Sequence, residues 1–313
     1  MLPPAQSLDS LKVWYRNISS LTGIEGFTNL AYLRCDHNEL DSLPALPANL
    51  IYLICSYDQL DFLPTLPVNL EVLACDSNQL DFLPALPASL TFLGCSFNQI
   101  DSLPVLPANL KQLGCLWNEL NSPPILPAKL TLLDCGYNKL SYLPELPTSL
   151  RELWCSSNSL TSLPELPNKL ELLYCNNNSS LICLPLLPNK LEHLFTPGTQ
   201  ITCIPNQPPN LSMNPVLPLC SEPCDSSVST TNILATKPFT VQPNPVSEVL
   251  QVRFSADFEG NADVRLLDSE CRVVRTLSGV GDVEIPVGDL PAGIYWLEVR
   301  SAKWVFGEKI LKE

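Results

Sequence analysis

Histidine, glycine and long apolar runs are scarce in this 313-residue chain, and each scarcity removes a class of function. The two histidines, His37 and His193, fall in different repeats of the pattern described below, so no catalytic constellation can be built on them. There is no HExxH, GxSxG, phosphate-binding loop or dinucleotide fingerprint. Although the chain has 13 cysteines, no Cys-x-x-Cys pair occurs, and zinc sites want such clustered pairs. Glycine is low at 12 residues and proline high at 31, an odd balance for a compact enzyme. No stretch of roughly eighteen apolar residues exists, so no transmembrane helix is expected. The net charge is −14 with no basic stripe, which makes nucleic acid and anionic membrane poor partners.

What the chain does have is a period of twenty. Cysteine recurs at Cys35, Cys55, Cys75, Cys95, Cys115, Cys135, Cys155 and Cys175. Leucine keeps the same spacing from Leu30 to Leu170 and from Leu33 to Leu173, and asparagine follows at Asn38 and from Asn78 to Asn178, with Asp58 standing in once. A fixed period near twenty residues means one small unit stacked on copies of itself, because no single unit can bury its own apolar face. Within a unit, Leu53 and Cys55 alternate with outward residues, which predicts a short strand. Stacked copies form a parallel sheet at ~4.8 Å per strand, so roughly ten strands span about 45 Å. The asparagine side chain can satisfy backbone groups of adjacent turns.

The other half of the unit, as in Leu43-Pro44-Ala45-Leu46-Pro47, can continue neither a ladder nor a helix. Proline lacks the N–H and disfavours α at the residue before it, so the return arm is extended or polyproline-like. These residues resemble a leucine-rich repeat, LxxLxLxxNxL, with cysteine in the third apolar slot, and the LPxLP arm resembles the short bacterial LPX subclass. The resemblance covers about residues 8–211. Its first unit departs, with a 22-residue spacing from Leu8 to Leu30 and Val13 where cysteine later sits. One residue is inserted after Asn178, Thr196 replaces the last cysteine, and the pattern decays through Asn210 and Leu211 into an expected cap.

Residues 221–238 lose the period and are rich in Ser and Thr, which reads as a linker. From Phe239 onward, short alternating runs broken by Gly, Asp and Pro predict a small β-sandwich. Three segments, PNPVSEVLQVRF at 243–254, DLPAGIYWLEV at 289–299 and GEKILKE at 307–313, resemble the C-terminal sorting domain of the type IX secretion system. On that resemblance the sorting signal includes Pro243, Asn244, Pro245, Gly293, Tyr295 and Lys309. The family usually has glycine in the hairpin after its third strand, where this chain places Cys271.

The resemblance implies cargo of a Bacteroidota-type bacterium, carried across the outer membrane and then released or anchored, with the sorting domain usually removed. Such cargo needs an export signal, and none is visible at MLPPAQSLDSLK, which lacks a basic region followed by an apolar one. A trimmed or mis-started N-terminus is therefore expected. Type III effectors with LPX repeats often carry a ligase domain, but here the sorting module occupies that place.

The fold class expected is mostly β: a leucine-rich-repeat solenoid over residues 1–220, a linker over 221–238, and an Ig-like antiparallel sandwich over 239–313. The cysteine ladder, one residue per strand in an apolar slot, reads as core, since buried free cysteine behaves as a small hydrophobe. Cys183, Cys203, Cys220 and Cys224 stand apart from it and could pair in any combination in an oxidising exterior. Asp41, Asp61, Asp81 and Asp101 stack where each strand leaves for its return arm; turn-capping is preferred there over a calcium-assisted edge.

The candidate binding residues are aromatics expected to face outward from a concave sheet: Tyr57, Phe97, Trp117 and Tyr137 in one column, Trp154 and Tyr174 in its neighbour. Sheets favour aromatics anyway, so mere cover for adjacent strands is the bland alternative. The function expected is an exported, non-enzymatic binding or adhesion protein that recognises a protein or a glycan, with no cofactor or metal. The rival is a structural spacer, or one module of a larger secreted protein; an enzyme would need a domain upstream of Met1.

Overall fold

The computed structural model describes residues 8–221, 239–254, 261–268, 273–301 and 305–312. The first unit is a ladder of eleven parallel strands in sequence order, each three residues long. They are β1 (Ser10–Lys12), β2 (Tyr32–Arg34), β3 (Tyr52–Ile54), β4 (Val72–Ala74), β5 (Phe92–Gly94) and β6 (Gln112–Gly114). They continue as β7 (Leu132–Asp134), β8 (Glu152–Trp154), β9 (Leu172–Tyr174), β10 (His193–Phe195) and β11 (Ser212–Asn214). The register is strict, with Leu33 opposite Leu53, Leu53 opposite Leu73, and so on. The proline arms carry neither helix nor strand. A 3-10 turn, Ile24–Gly26, takes up the longer first repeat, and β11 extends the sheet past the point where the period fades.

The core is the set of columns that the period predicts. Leu30, Leu33, Cys35 and Leu40, and their counterparts one repeat on, are fully buried. Removing one such leucine by an Ala substitution costs roughly 2–5 kcal/mol. Every cysteine from Cys35 to Cys175 is a buried free thiol. Several donate across the repeat, as Cys75 Sγ does to the Gly94 carbonyl at 3.3 Å and Cys115 Sγ to the Asp134 carbonyl at 3.3 Å. Cysteine thus fills a methyl-sized slot and reaches a carbonyl oxygen that alanine could not.

The asparagines sew the turns together. Asn78 Nδ2 donates to the carbonyls of Cys55 (2.9 Å), Cys75 (3.1 Å) and Asp76 (3.3 Å), while its Oδ1 accepts from the Leu60 amide at 3.0 Å. The same set recurs through Asn178, which is wholly buried. A tight bend leaves these backbone groups without ladder partners, so the side chain supplies them.

By contact the chain divides into two compact units, Met1–Asp225 and Ser226–Glu313. The second holds a three-stranded antiparallel sheet of β12 (Phe239–Gln242), β13 (Val249–Phe254) and β16 (Val283–Pro286). A four-stranded antiparallel sheet is formed by β14 (Asn261–Leu267), β15 (Val273–Val280), β17 (Gly293–Ser301) and β18 (Val305–Lys312). Val252 and Ile285 of one sheet share a core with Val264 and Leu297 of the other, which makes a sandwich. Residues 222–238, most of the linker segment, lie outside the described residues, as do Cys224 and the Cys271 turn.

Candidate functional site

The structure moves one aromatic column. Tyr57, Phe97, Trp117 and Tyr137 are not on the sheet, because each strand ends before its cysteine and the chain then turns. All four sit two residues past that cysteine with left-handed backbone, φ between 49° and 57°. Such a conformation costs a non-glycine residue roughly 1–2 kcal/mol, yet every repeat from Tyr15 to Asn177 adopts it without a glycine. The amides fix the position: Tyr57 N–H donates to the Asp76 carbonyl at 2.8 Å and Phe97 N–H to the Leu116 carbonyl at 2.8 Å. This column is consequently a row of equivalent turns stacked beside the sheet, and its rings are 40–54% exposed.

The rings stack along the solenoid. Phe97 and Trp117 lie 6.0 Å apart between centroids with planes 13° apart, and Trp117 and Tyr137 lie 4.3 Å apart at 11°. Trp154 and Tyr174 do lie on strands, as the last residues of β8 and β9, and stack at 4.4 Å and 8°. No ring contact joins these two columns among the described residues. Face-to-face stacking hides the inner ring faces and leaves edges to solvent. Beside Trp117 and Tyr137 opens a shallow cavity of about 410 Å³, floored by Asn98, Asn118 and Asn138 and rimmed by the Glu119–Lys139 ion pair at 3.0 Å.

Three partners escaped the sequence reading. Tyr15 stacks on His37 at 4.1 Å, His37 stacks on Tyr57 at 4.3 Å, and Phe195 meets Tyr174 at 5.4 Å. The 22-residue first spacing and the insertion after Asn178 hid Tyr15 and Phe195. Aligning Val13 with Cys35 exposes the first, since both rings then fall two residues on. His37 is also bound to Asp36 at 2.8 Å, whose other oxygen accepts from Arg34 Nε at 2.7 Å. Burial pushes the Asp36 carboxyl up, and the Arg34 and His37 contacts more than offset it, leaving it below the ordinary range. Arg34 in turn lies 4.7 Å over the Trp14 ring.

In the strand column that Trp154 and Tyr174 occupy, the earlier repeats carry Ile54 and then the small residues Ala74, Gly94 and Gly114. At Gly94 a Cβ would stand 2.8 Å from an Asp76 carboxylate oxygen, so that side chain would have to shift. At Gly114 a Cβ would meet only ordinary contact at 3.4 Å.

Asp41, Asp61, Asp81 and Asp101 are exposed; Asp41 and Asp101 each accept a hydroxyl bond from the following serine at 2.8 Å. No group of three potential metal ligands occurs among the described residues. Cys203 and Cys220 form a disulfide with 5.0 Å between Cα atoms, and Cys183 is disulfide-bonded as well. This staple closes the end where the Leu/Cys core runs out.

In the sandwich, the segments at 243–254, 289–299 and 307–312 converge. The bonds before Pro243 and Pro245 are cis, and Asn244 between them accepts from the Leu311 amide at 2.9 Å. Val246 N–H donates to the Leu311 carbonyl at 2.8 Å. Gly293 and Tyr295 pair with Lys312 and Ile310, and Lys309 pairs with Trp296. The buried Tyr295 hydroxyl donates to the Pro291 carbonyl at 2.9 Å.

Residues 240–313 match the family described as "Secretion system C-terminal sorting domain". The fold of the first unit is similar to YopM from Yersinia enterocolitica WA-314, at 34% identity and a TM-score of 0.64 over 70% of this chain. The chain spans half of that protein's length. It is also similar to YopM of Yersinia pestis, described as a leucine-rich effector protein, at 33% identity and a TM-score of 0.51, covering 66% of this chain and 71% of that one. No curated protein matches.

Proposed function

The chain belongs to the leucine-rich-repeat proteins and ends in a type IX secretion sorting domain, and from this premise we propose that it is an exported binding or adhesion protein without enzymatic activity. Its ligand is a protein or a glycan, met by the rings along the ladder face. One observation carries the reading: exposed rings recur at equivalent positions of a rigid repeat, and at Phe97, Trp117 and Tyr137 they occupy left-handed turns where aromatics are costly. The Leu/Cys core and the asparagine ladder give a reason for the recurring leucines, cysteines and asparagines, but not for these rings. Large aromatics in partly enclosed places are typical binding hot spots.

The structural-spacer reading keeps one observation in its favour. Stacked rings bury each other's faces, and so shield neighbouring repeats without any ligand. Trp117→Ala and Trp154→Ala decide between the two. Each is expected to weaken adhesion to a host-cell or glycan-array surface by about 1–3 kcal/mol, the hot-spot range, with little change in melting temperature. Asp61→Ala and Asp81→Ala should leave adhesion intact. Wild-type adhesion by both Trp variants would leave the spacer reading standing.

A further inference from the structure

The turn column carries two ring stacks separated by one small residue. Tyr15, His37 and Tyr57 form the first; Phe97, Trp117 and Tyr137 form the second; Ser77 lies between them. Ser77 has the same backbone as its neighbours, φ 55°, and its N–H donates to the Ser96 carbonyl at 2.8 Å as theirs do to the next repeat. A side chain at this position therefore projects alongside the rings of Tyr57 and Phe97. Serine stops short, so Tyr57 and Phe97 face each other across two strand spacings, about 9–10 Å.

The chain itself shows what fits such a gap. His37 is a flat ring held between Tyr15 and Tyr57 at 4.1 and 4.3 Å. These two distances together nearly span the Tyr57–Phe97 gap. Among the described residues Tyr57 and Phe97 each stack on one ring, so the face of each toward Ser77 carries no ring contact. The strands leading to Tyr57 and Ser77 end in the apolar Ile54 and Ala74.

Resting on the binding-face reading above, we propose that the gap at Ser77 is a one-ring slot that takes an aromatic side chain of a protein partner, completing a continuous stack between Tyr57 and Phe97. A planar ring reproduces contacts the column already makes on both faces, whereas a puckered sugar does not. The net charge of −14 further disfavours a nucleobase, which arrives with phosphate.

The test uses the full chain and saturation-transfer NMR with N-acetyltryptophanamide and N-acetyltyrosinamide, with methyl β-D-glucopyranoside as the sugar arm. Ser77→Tyr fills the slot with the chain's own ring, and Tyr57→Ala removes one wall. Ser77→Tyr should cut the aromatic-probe signal about tenfold, the worth of two ring contacts, and Tyr57→Ala about threefold, the worth of one. Ser77→Ala should keep it, as should Asp81→Ala. Because the column already accepts aromatics at this backbone conformation, Ser77→Tyr should melt no lower than wild type; if it fails to fold, Tyr57→Ala carries the test. An undiminished aromatic signal in the filled or wall-less variant overturns the slot, and so does a signal from the sugar alone. Loss of adhesion in Trp154→Ala with unchanged probe binding in Ser77→Tyr removes the slot but keeps the wider face.

Discussion

The Leu40 amide donates to Oδ1 of Asp58 at 3.2 Å, in the place where the Leu60 amide donates to Oδ1 of Asn78 at 3.0 Å. The two ladders differ at the second atom. In Asn78 the Nδ2 donates to the carbonyls of Cys55 and Cys75, while Oδ2 of Asp58 is buried with no hydrogen-bond partner among the described residues. An ionised oxygen there faces a site built for a donor. Burial drives the Asp58 carboxyl up to about 6, against the pull of the Leu40 and Asn38 amides; Asp36 adds to the rise and His37 opposes it.

The raised value fixes the sign of a pH effect. Since the folded chain holds the Asp58 proton more tightly than the unfolded chain, the stabilisation is full below about pH 4 and is lost as pH rises through about 6. Asp58→Asn should therefore stabilise the protein at pH 7.5 by about 1 kcal/mol, after discounting for partial exposure. At pH 4 it should change little. Urea melts of both proteins at the two pH values check this. Asp76 and Asp134, also raised by burial, titrate in both proteins and cancel in the difference. An equal gain at both pH values would mean that Asn is simply the better fit.

The thiol ladder should be chemically silent. Burial pushes the Cys135 and Cys175 thiols up to about 12, and Cys55, Cys75, Cys115 and Cys155 rise as well. Thiolate is the reactive form, so native protein should resist thiol reagents at pH 8 and react fully in urea. Cys95→Ala should cost about 1 kcal/mol, from one lost heavy atom and its weak bond to the Gly114 carbonyl. Stoichiometric zinc that disappears with this substitution would overturn the core reading.

Export should depend on the sandwich and on the clasp within it. Deleting residues 239–313 should leave the repeat unit folded but held in the periplasm, as read by cell fractionation and circular dichroism. Asn244→Ala removes the acceptor for the Leu311 amide and should lower the stability of the second unit by about 1–2 kcal/mol, since a backbone donor loses its partner. Truncated protein at the cell surface in wild-type amounts would show that the address lies elsewhere.

Much of the fold was legible because a strict repeat makes each position's environment the same in every copy. A leucine that recurs every twenty residues has to face the shared core, and Asn78 or Asn118 has to serve the bend that every unit makes. The sorting segments were legible for a different reason, since Asn244, Tyr295 and Leu311 lie in short runs whose wording is specific. Along the sequence alone, then, the solenoid, its Leu/Cys core and the second unit were determined by local pattern.

Tertiary structure decided what depends on the relation between copies. Strand length is one case: the ladder stops after three residues, so Trp117 leaves the sheet for a left-handed turn while Trp154 remains on a strand. Which rings touch is another, because Tyr15, His37 and Phe195 join the stacks only once the irregular first and last spacings are folded into register. The pairing of Cys203 with Cys220 belongs with these, as does the unpaired oxygen of Asp58. A sequence names the residue in each slot, but hydrogen bonding, stacking and burial are set by the neighbouring turn twenty residues away, and only the stacked chain brings that neighbour into contact.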